Sequence, residues 1–293
     1  MSDKTDCSPD ATCETCGSST GCDAAAKAKH LEELMTNKLS MIKRRLVVMS
    51  GKGGVGKTTV SVNLAVALAR LGKKVGLFDA DVHGPNVPKM LGIDGLVPGM
   101  GPNGLIPVVA QENLNVISMA FMIENPDTPV VWRGPMKHSL FQQFISDVDW
   151  GPLDYLIVDL PPGTGDEPLS IAQLLGKPLW AIIVTTPQDV ALLDSRKSVV
   201  FAQTLEMKVL GIVENMSGLA CPHCGGSIDL FKRGGGVRSA TELGVPLLGV
   251  IPIDPQIVIA GDSGRTVEKV SPQGPSAVSF AELGEKVQAA IMS

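Results

Sequence analysis

The chain has 293 residues, a formal net charge of −5 and a sequence pI of about 5.4. That length allows one large domain or two ordinary ones, and the mild acidity removes any electrostatic reason to expect nucleic acid as the main partner. Hydrophobic residues make up 44% and aromatics only 4%, so the core must be built from Val, Ile, Leu, Met and Ala; with 32 glycines, this bias suits a parallel α/β sheet buried on both faces.

The first residues, MSDKTDCSPD, are polar and lack the apolar stretch of a secretory signal. No apolar run approaches the roughly 20 residues of a membrane span, so no membrane partner is expected and the expected location is the cytoplasm. Thiols stay reduced there, so the six cysteines read as metal ligands or redox groups rather than disulfides. Residues 1–23 are polar and Cys-rich, and need a metal to become ordered. Residues 24–40 read as a helix with Leu31, Leu34 and Met35 on one face. Together, residues 1–40 are expected to form an extension and linker helix, and residues 41–293 one catalytic domain.

From Arg44 the pattern is strand (RRLVVMS), glycine loop (GKGGVGKTT) and helix (VSVNLAVALARLG), ended at Gly72. KVGLFDA is a second strand running into acidic residues. The Gly/Pro-rich stretch 92–107 reads as loops with a hairpin. LNVISMA is a further strand, WRGPMKHSLFQQFISDV a helix, and YLIVDLPPG a buried strand entering a loop. LWAIIVTTP, a helix over 191–205 and KVLGIVENMSG make another strand–helix–strand unit. PLLGVIPID is the last strand and AVSFAELGEKVQAAIM a closing amphipathic helix. The alternation predicts an α/β fold, a mainly parallel sheet flanked by helices.

Residues 51–59, GKGGVGKTT, fit G-x-x-x-x-G-K-[ST] between an apolar strand and a helix, the context of a P-loop. Gly51, Gly53, Gly54 and Gly56 let the backbone curl so that N–H groups, including those of Val55 and Thr59, face a phosphate at a helix N-terminus. Lys57 supplies a point charge to the β- and γ-phosphates, and Thr58 a hydroxyl for Mg2+. ATP is the expected nucleotide. Asp159 ends the run YLIVD, where a Walker-B carboxylate belongs. Asp79 and Asp81 end the second strand; one of them orients the attacking water, or both serve turn chemistry. Asp166, after PPGTG, is either part of that site or the N-cap of the next helix. His83 beside Asp81 touches nucleotide or partner, or starts a helix. Trp132 and Arg133 in WRGPM make a dimer or switch contact, or a packed helix start.

CPHC at 221–224 supplies two thiolates, Cys221 and Cys224, from one tight turn. Two thiolates cannot close a four-ligand site, but a twofold dimer presents the turn twice. A zinc knuckle completed elsewhere and a redox dithiol are the competing readings, with His223 a further possible ligand. Cys7, Cys13, Cys16 and Cys22 form C-x5-C-x2-C-x5-C, a complete ligand set that zinc or [4Fe–4S] accepts equally.

Lys52, directly after the first glycine, makes GKGGVGKTT resemble the deviant Walker A of the MinD, ParA and nitrogenase iron protein superfamily. With DADVHGPN, WRGPM, DLPPGTGD, VENMSG and the Cys pair, residues 44 to about 268 are similar to the Mrp/Nbp-type iron–sulfur carrier ATPases. The resemblance implies a slow ATPase acting as a homodimer, with Lys52 reaching the partner's nucleotide and Asp81 positioning water. It implies that Asp159 and the following glycines sense the γ-phosphate, and that Asn215 bonds adenine. It further implies a [4Fe–4S] cluster bridging Cys221 and Cys224 of two subunits, a second cluster on the N-terminal cysteines, and apo iron–sulfur proteins as recipients. The first N-terminal spacing is shorter than in the eukaryotic pattern.

The leading expectation is therefore an ATP-dependent cluster scaffold or carrier. Nucleotide-gated electron transfer needs the same dimer cluster, but cycling its redox state. A MinD- or ParA-like positioning role needs a basic amphipathic terminal helix or a basic surface; FAELGEKVQAAIMS balances Glu with Lys, and the pI is about 5.4.

Overall fold

The computed structural model describes residues 24–122, 134–221, 223, 224 and 226–292. In chain order these form α1 (Ala24–Ser40), β1 (Arg45–Met49), α2 (Lys57–Arg70), β2 (Val75–Asp79), α3 (Val87–Leu91), β3 (Gly99–Gly101), β4 (Gly104–Ile106), β5 (Val108–Gln111) and β6 (Leu114–Ser118). Then follow α4 (Gly134–Asp147), β7 (Tyr155–Asp159), α5 (Asp166–Leu175), β8 (Trp180–Thr185), α6 (Asp189–Thr204), β9 (Lys208–Glu214), β10 (Leu219–Ala220) and β11 (Ser227–Ile228). The chain closes with α7 (Gly235–Leu243), β12 (Leu247–Val250), α8 (Pro255–Asp262), α9 (Val267–Val270) and α10 (Pro275–Met292).

Eight strands form one sheet in the order β12-β9-β8-β1-β7-β2-β6-β5. Every pairing is parallel except β5 with β6, which is antiparallel. The central strands are apolar on both faces because helices cover both. Successive side chains on a strand point to opposite faces. Leu46 and Val48 thus enter the core under α2 and α10, while Val47 and Met49 enter the one under α4, α5 and α6. Helix α2 is apolar nearly all round, with Val60, Val62, Leu64, Ala65 and Leu68 buried, which places it centrally.

Helix α1 lies against α4. The expected apolar face is present: Leu34 and Met35 are buried, Leu31 is half-buried, and Leu39 extends the stripe. The Gly/Pro-rich stretch does form a hairpin, β3–β4, while β5 beyond it is a strand that the sequence reading left out. Strand parallelism has one consequence for chemistry. The carboxyl ends of β1, β2, β7, β8 and β9 converge on one edge, the usual position of a ligand site in an open α/β sheet.

Candidate functional site

The loop between β1 and α2 wraps the N-terminus of α2. Gly56 caps that helix with φ +79°, in the left-handed region. A side chain there is doubly excluded, since a Cβ on Gly56 would sit 2.2 Å from Asn215 Nδ2. Gly54 has the same φ, +79°. Lys57, first residue of α2, is only 6% exposed. Its ammonium lies 2.9 Å from Asp159 Oδ1 and 4.0 Å from Asp81 Oδ2. Among the described residues it nevertheless finds no well-aligned acceptor. A buried cation with spare donors at a helix N-terminus is what a phosphate group would satisfy.

Asp159, at the end of β7, is wholly buried. Thr58 Oγ1 donates to its Oδ2 and Ser61 Oγ to its Oδ1, each at 2.6 Å. Hydroxyl and carboxylate form the hard oxygen pair that magnesium prefers. Asp79, next to Asp159 across the β2–β7 register, is also wholly buried. Burial first, then the neighbouring Asp159 charge, push its carboxyl up to about 8. The Ser118 hydroxyl at 2.9 Å and the Val87 N–H at 3.2 Å act in the opposite sense. Asp79 thus organises the loop after β2, and Asp81 is the carboxylate left facing Lys57. Asp81 Oδ1 accepts the N–H groups of His83 and Gly84 at 3.2 and 3.3 Å.

His83 makes a contact that its sequence neighbourhood does not reveal. Its Nε2 is 2.9 Å from Lys137 Nζ, on α4, and Lys137 also donates to Glu167 Oε1, in the first turn of α5. Lys137 is 9% exposed, so one buried lysine ties the loop after β2 to the helix that follows Asp159. Neither Lys137 nor Glu167 was picked out by sequence; the available signal was their position in the motifs WRGPMK and GTGDE. Asp166 is the first residue of α5, and the N-cap is Gly165, so the N-cap expectation for Asp166 shifts by one residue. Gly163 N–H donates to Ser50 O at 2.8 Å, joining the loop after β7 to the P-loop. Lys52 is partly exposed, with its carbonyl accepting from Ser50 Oγ at 2.9 Å. Asn215 follows β9 and donates Nδ2 to Val55 O at 2.9 Å, so it braces the loop.

Cys221 and Cys224 lie between the two-residue strands β10 and β11. Cys221 is half-buried and Cys224 exposed, both as free thiols. The backbone N–H of Cys224, then that of His223, and the Cys224 side chain hold the Cys221 thiol below its usual range. That favours the thiolate, the form that binds metal. Among the described residues no group of three or more His, Cys, Asp and Glu side chains is arranged to hold a metal ion. The thiol pair is therefore not joined there by a third such ligand. Cys7, Cys13, Cys16 and Cys22, and Trp132 and Arg133, lie outside the described residues.

The family model described as the NUBPL iron-transfer P-loop NTPase matches residues 41–288. The chain belongs to this family. Within the NUBPL-type NTPases it is 48% identical over 256 residues to the iron–sulfur cluster carrier protein of Methanocaldococcus jannaschii, covering 87% of this chain and 88% of that one. It is 43% identical over 253 residues to the cytosolic Fe–S cluster assembly factor NUBP2 of Bos taurus, covering 85% and 93%. Among solved structures, the nucleotide-binding protein of Archaeoglobus fulgidus in complex with ADP superposes with a TM-score of 0.74 at 38% identity, covering 85% of this chain and 96% of that one. The resemblance expected from sequence and the α/β P-loop fold are both met. Among the described residues no helix is long and apolar enough to cross a membrane.

Proposed function

We propose that this chain is an ATP-dependent iron–sulfur cluster scaffold and carrier. The observation behind this reading is the union, in one chain, of a phosphate loop whose buried lysine, though paired with Asp159, has spare donors among the described residues, and a two-thiol turn that supplies half of a four-ligand set. Two copies related by a twofold axis bring four thiolates together, and the [4Fe–4S] cargo sits between Cys221 and Cys224 of each. The names of the archaeal and bovine relatives support the cargo, and the bovine name supports a cytosolic setting.

In this reading the loop 51–59 binds ATP through backbone N–H groups. Lys57 meets the β- and γ-phosphates, and Lys52 reaches the nucleotide of the second copy. Thr58 and Asp159 hold Mg2+, which supplies charge neutralisation at the phosphates. Asp81, held by the N–H groups of residues 83 and 84, orients the attacking water. Asn215 serves the adenine from its place beside the loop. Hydrolysis frees the loops after β2 and β7 and changes how the two copies meet, which exposes the cluster to an apo-protein. Cys7, Cys13, Cys16 and Cys22 form a second cluster site.

The test is anaerobic reconstitution with iron and sulfide. The double variant Cys221→Ser/Cys224→Ser is expected to lose transferable cluster while retaining ATP binding. Transfer to an apo-protein at the wild-type rate by that variant sinks the reading.

A further inference from the structure

Glu214 ends β9 as Asp159 ends β7, but no phosphate chemistry uses it. It is wholly buried. Its Oε1 accepts from Ser217 Oγ and, at 3.1 Å, from the Gly234 N–H, while Oε2 accepts from the Gly236 N–H. Ser217 precedes the β10–β11 hairpin that carries Cys221 and Cys224, and Gly234 and Gly236 follow it. One carboxylate therefore closes the hairpin at its base. The approach is tight: a Cβ on Gly236 would lie 2.8 Å from Glu214 Cβ.

The residues after Glu214 run to the other site. Asn215 is tied to Val55 of the P-loop through Nδ2 and to Thr185 O through its own N–H at 2.8 Å. Met216 has φ +57°, a left-handed conformation that is strained for a bulky residue. Its Cε lies 3.5 Å from where a Cβ on Gly56 would be. Ser217 N–H then donates to Ile251 O at 2.9 Å. Four consecutive residues thus span from the phosphate loop to the foot of the cysteine hairpin, bent at one strained position.

We infer that Glu214 is a positioning residue that carries movement of the nucleotide loop to the cysteine hairpin. The inference rests on the reading above only in taking the P-loop as a nucleotide site. A shift of Val55 or Gly56 on nucleotide binding moves Asn215 and Met216. Because Glu214 grips both feet, the hairpin follows as a unit instead of flexing alone. A carboxylate is required: both oxygens accept, from three donors, and Gln offers only one acceptor oxygen.

The experiment uses the full, metal-free, reduced chain. The rate of alkylation by iodoacetamide of the peptide carrying Cys221 and Cys224 is followed by mass spectrometry, with and without saturating ADP. Wild type is expected to change rate by about fivefold, the low end of site-to-site coupling. Glu214→Gln is expected to bring that ratio to one while ADP still binds by equilibrium dialysis. A purely structural role moves the basal rate and leaves the ratio intact. A wild-type ratio in Glu214→Gln, or no ADP effect in wild type, overturns the inference. Where Glu214→Gln fails to fold, Ser217→Ala removes one of the three donors and must lower the ratio; an unchanged ratio there overturns it equally. No cluster is present in this assay, so loss of the cluster reading leaves it standing, whereas absence of ADP binding to wild type identifies failure of the nucleotide reading.

Discussion

At the phosphate loop, Lys57, Asp79 and Asp159 are each no more than 6% exposed, and Asp79 and Asp159 are held by two or more neighbours. At the cysteine turn, Cys224 is exposed and the supporting strands are two residues long. The first region is a buried set of ionisable groups held by a single chain, so its donors are already aimed when phosphate arrives. The second has the thiols ready but few internal contacts to fix them. Rigidity is concentrated at the phosphate loop and freedom at the cysteine turn, which in the proposed function is where the cargo enters and leaves.

That contrast can be broken at several points. The largest effect belongs to Lys57→Ala: ATP turnover is expected to fall about 100- to 1,000-fold, as when one preorganised charge donor is removed. A steady-state phosphate-release assay checks it, and near-normal turnover would mean that the buried lysine is structural. Next comes Asp79. Its folded value near 8 lies above the ordinary 3.8, so the folded chain holds a proton that the unfolded chain has released. Stability contributed this way is present at low pH and lost as pH rises from about 4 to about 8. In Asp79→Asn, the loss of stability between pH 6 and pH 8 should shrink by roughly 2 kcal/mol, measured by urea unfolding. An unchanged slope assigns the titration elsewhere. The smallest effect sharpens the comparison from the other side. Cys224→Ala in the metal-free chain should change unfolding free energy by less than about 0.5 kcal/mol, as at other exposed positions. A larger loss would show the turn to be as firmly built as the phosphate loop.

The elements that could be read from sequence were those whose signal is contiguous. A β-branched run followed by GKGGVGKT marks β1, the loop and α2 together, and YLIVD places Asp159 at a strand end. Strand β5 escaped because four residues, VVAQ, follow a Gly/Pro-rich stretch and owe their pairing to β6. Helix α7 begins GGVRS, poor helix formers whose N-terminus is held by Glu214. Helix α8 carried a signal that went unused: Asp254 caps it, accepting from Gln256 N–H at 2.9 Å, with Pro255 at its start. Lys137, Glu167 and Glu214 were invisible for another reason. Their partners lie 20 to 54 positions away, apart from Ser217, so only the folded sheet brings them together. Glu214 did offer one hint, since it ends a buried strand as Asp79 and Asp159 do.

The middle of the sheet has a consequence for how the protein is made. β1, the central strand, is made before both of its neighbours, since Arg45 pairs with Leu156 and Leu46 with Trp180. At about 5–20 residues per second, synthesis leaves RLVVM with two bare hydrogen-bonding edges for several seconds to half a minute. Unpaired strand edges favour association between chains, so slowing translation ahead of residue 156 should raise the tendency to aggregate.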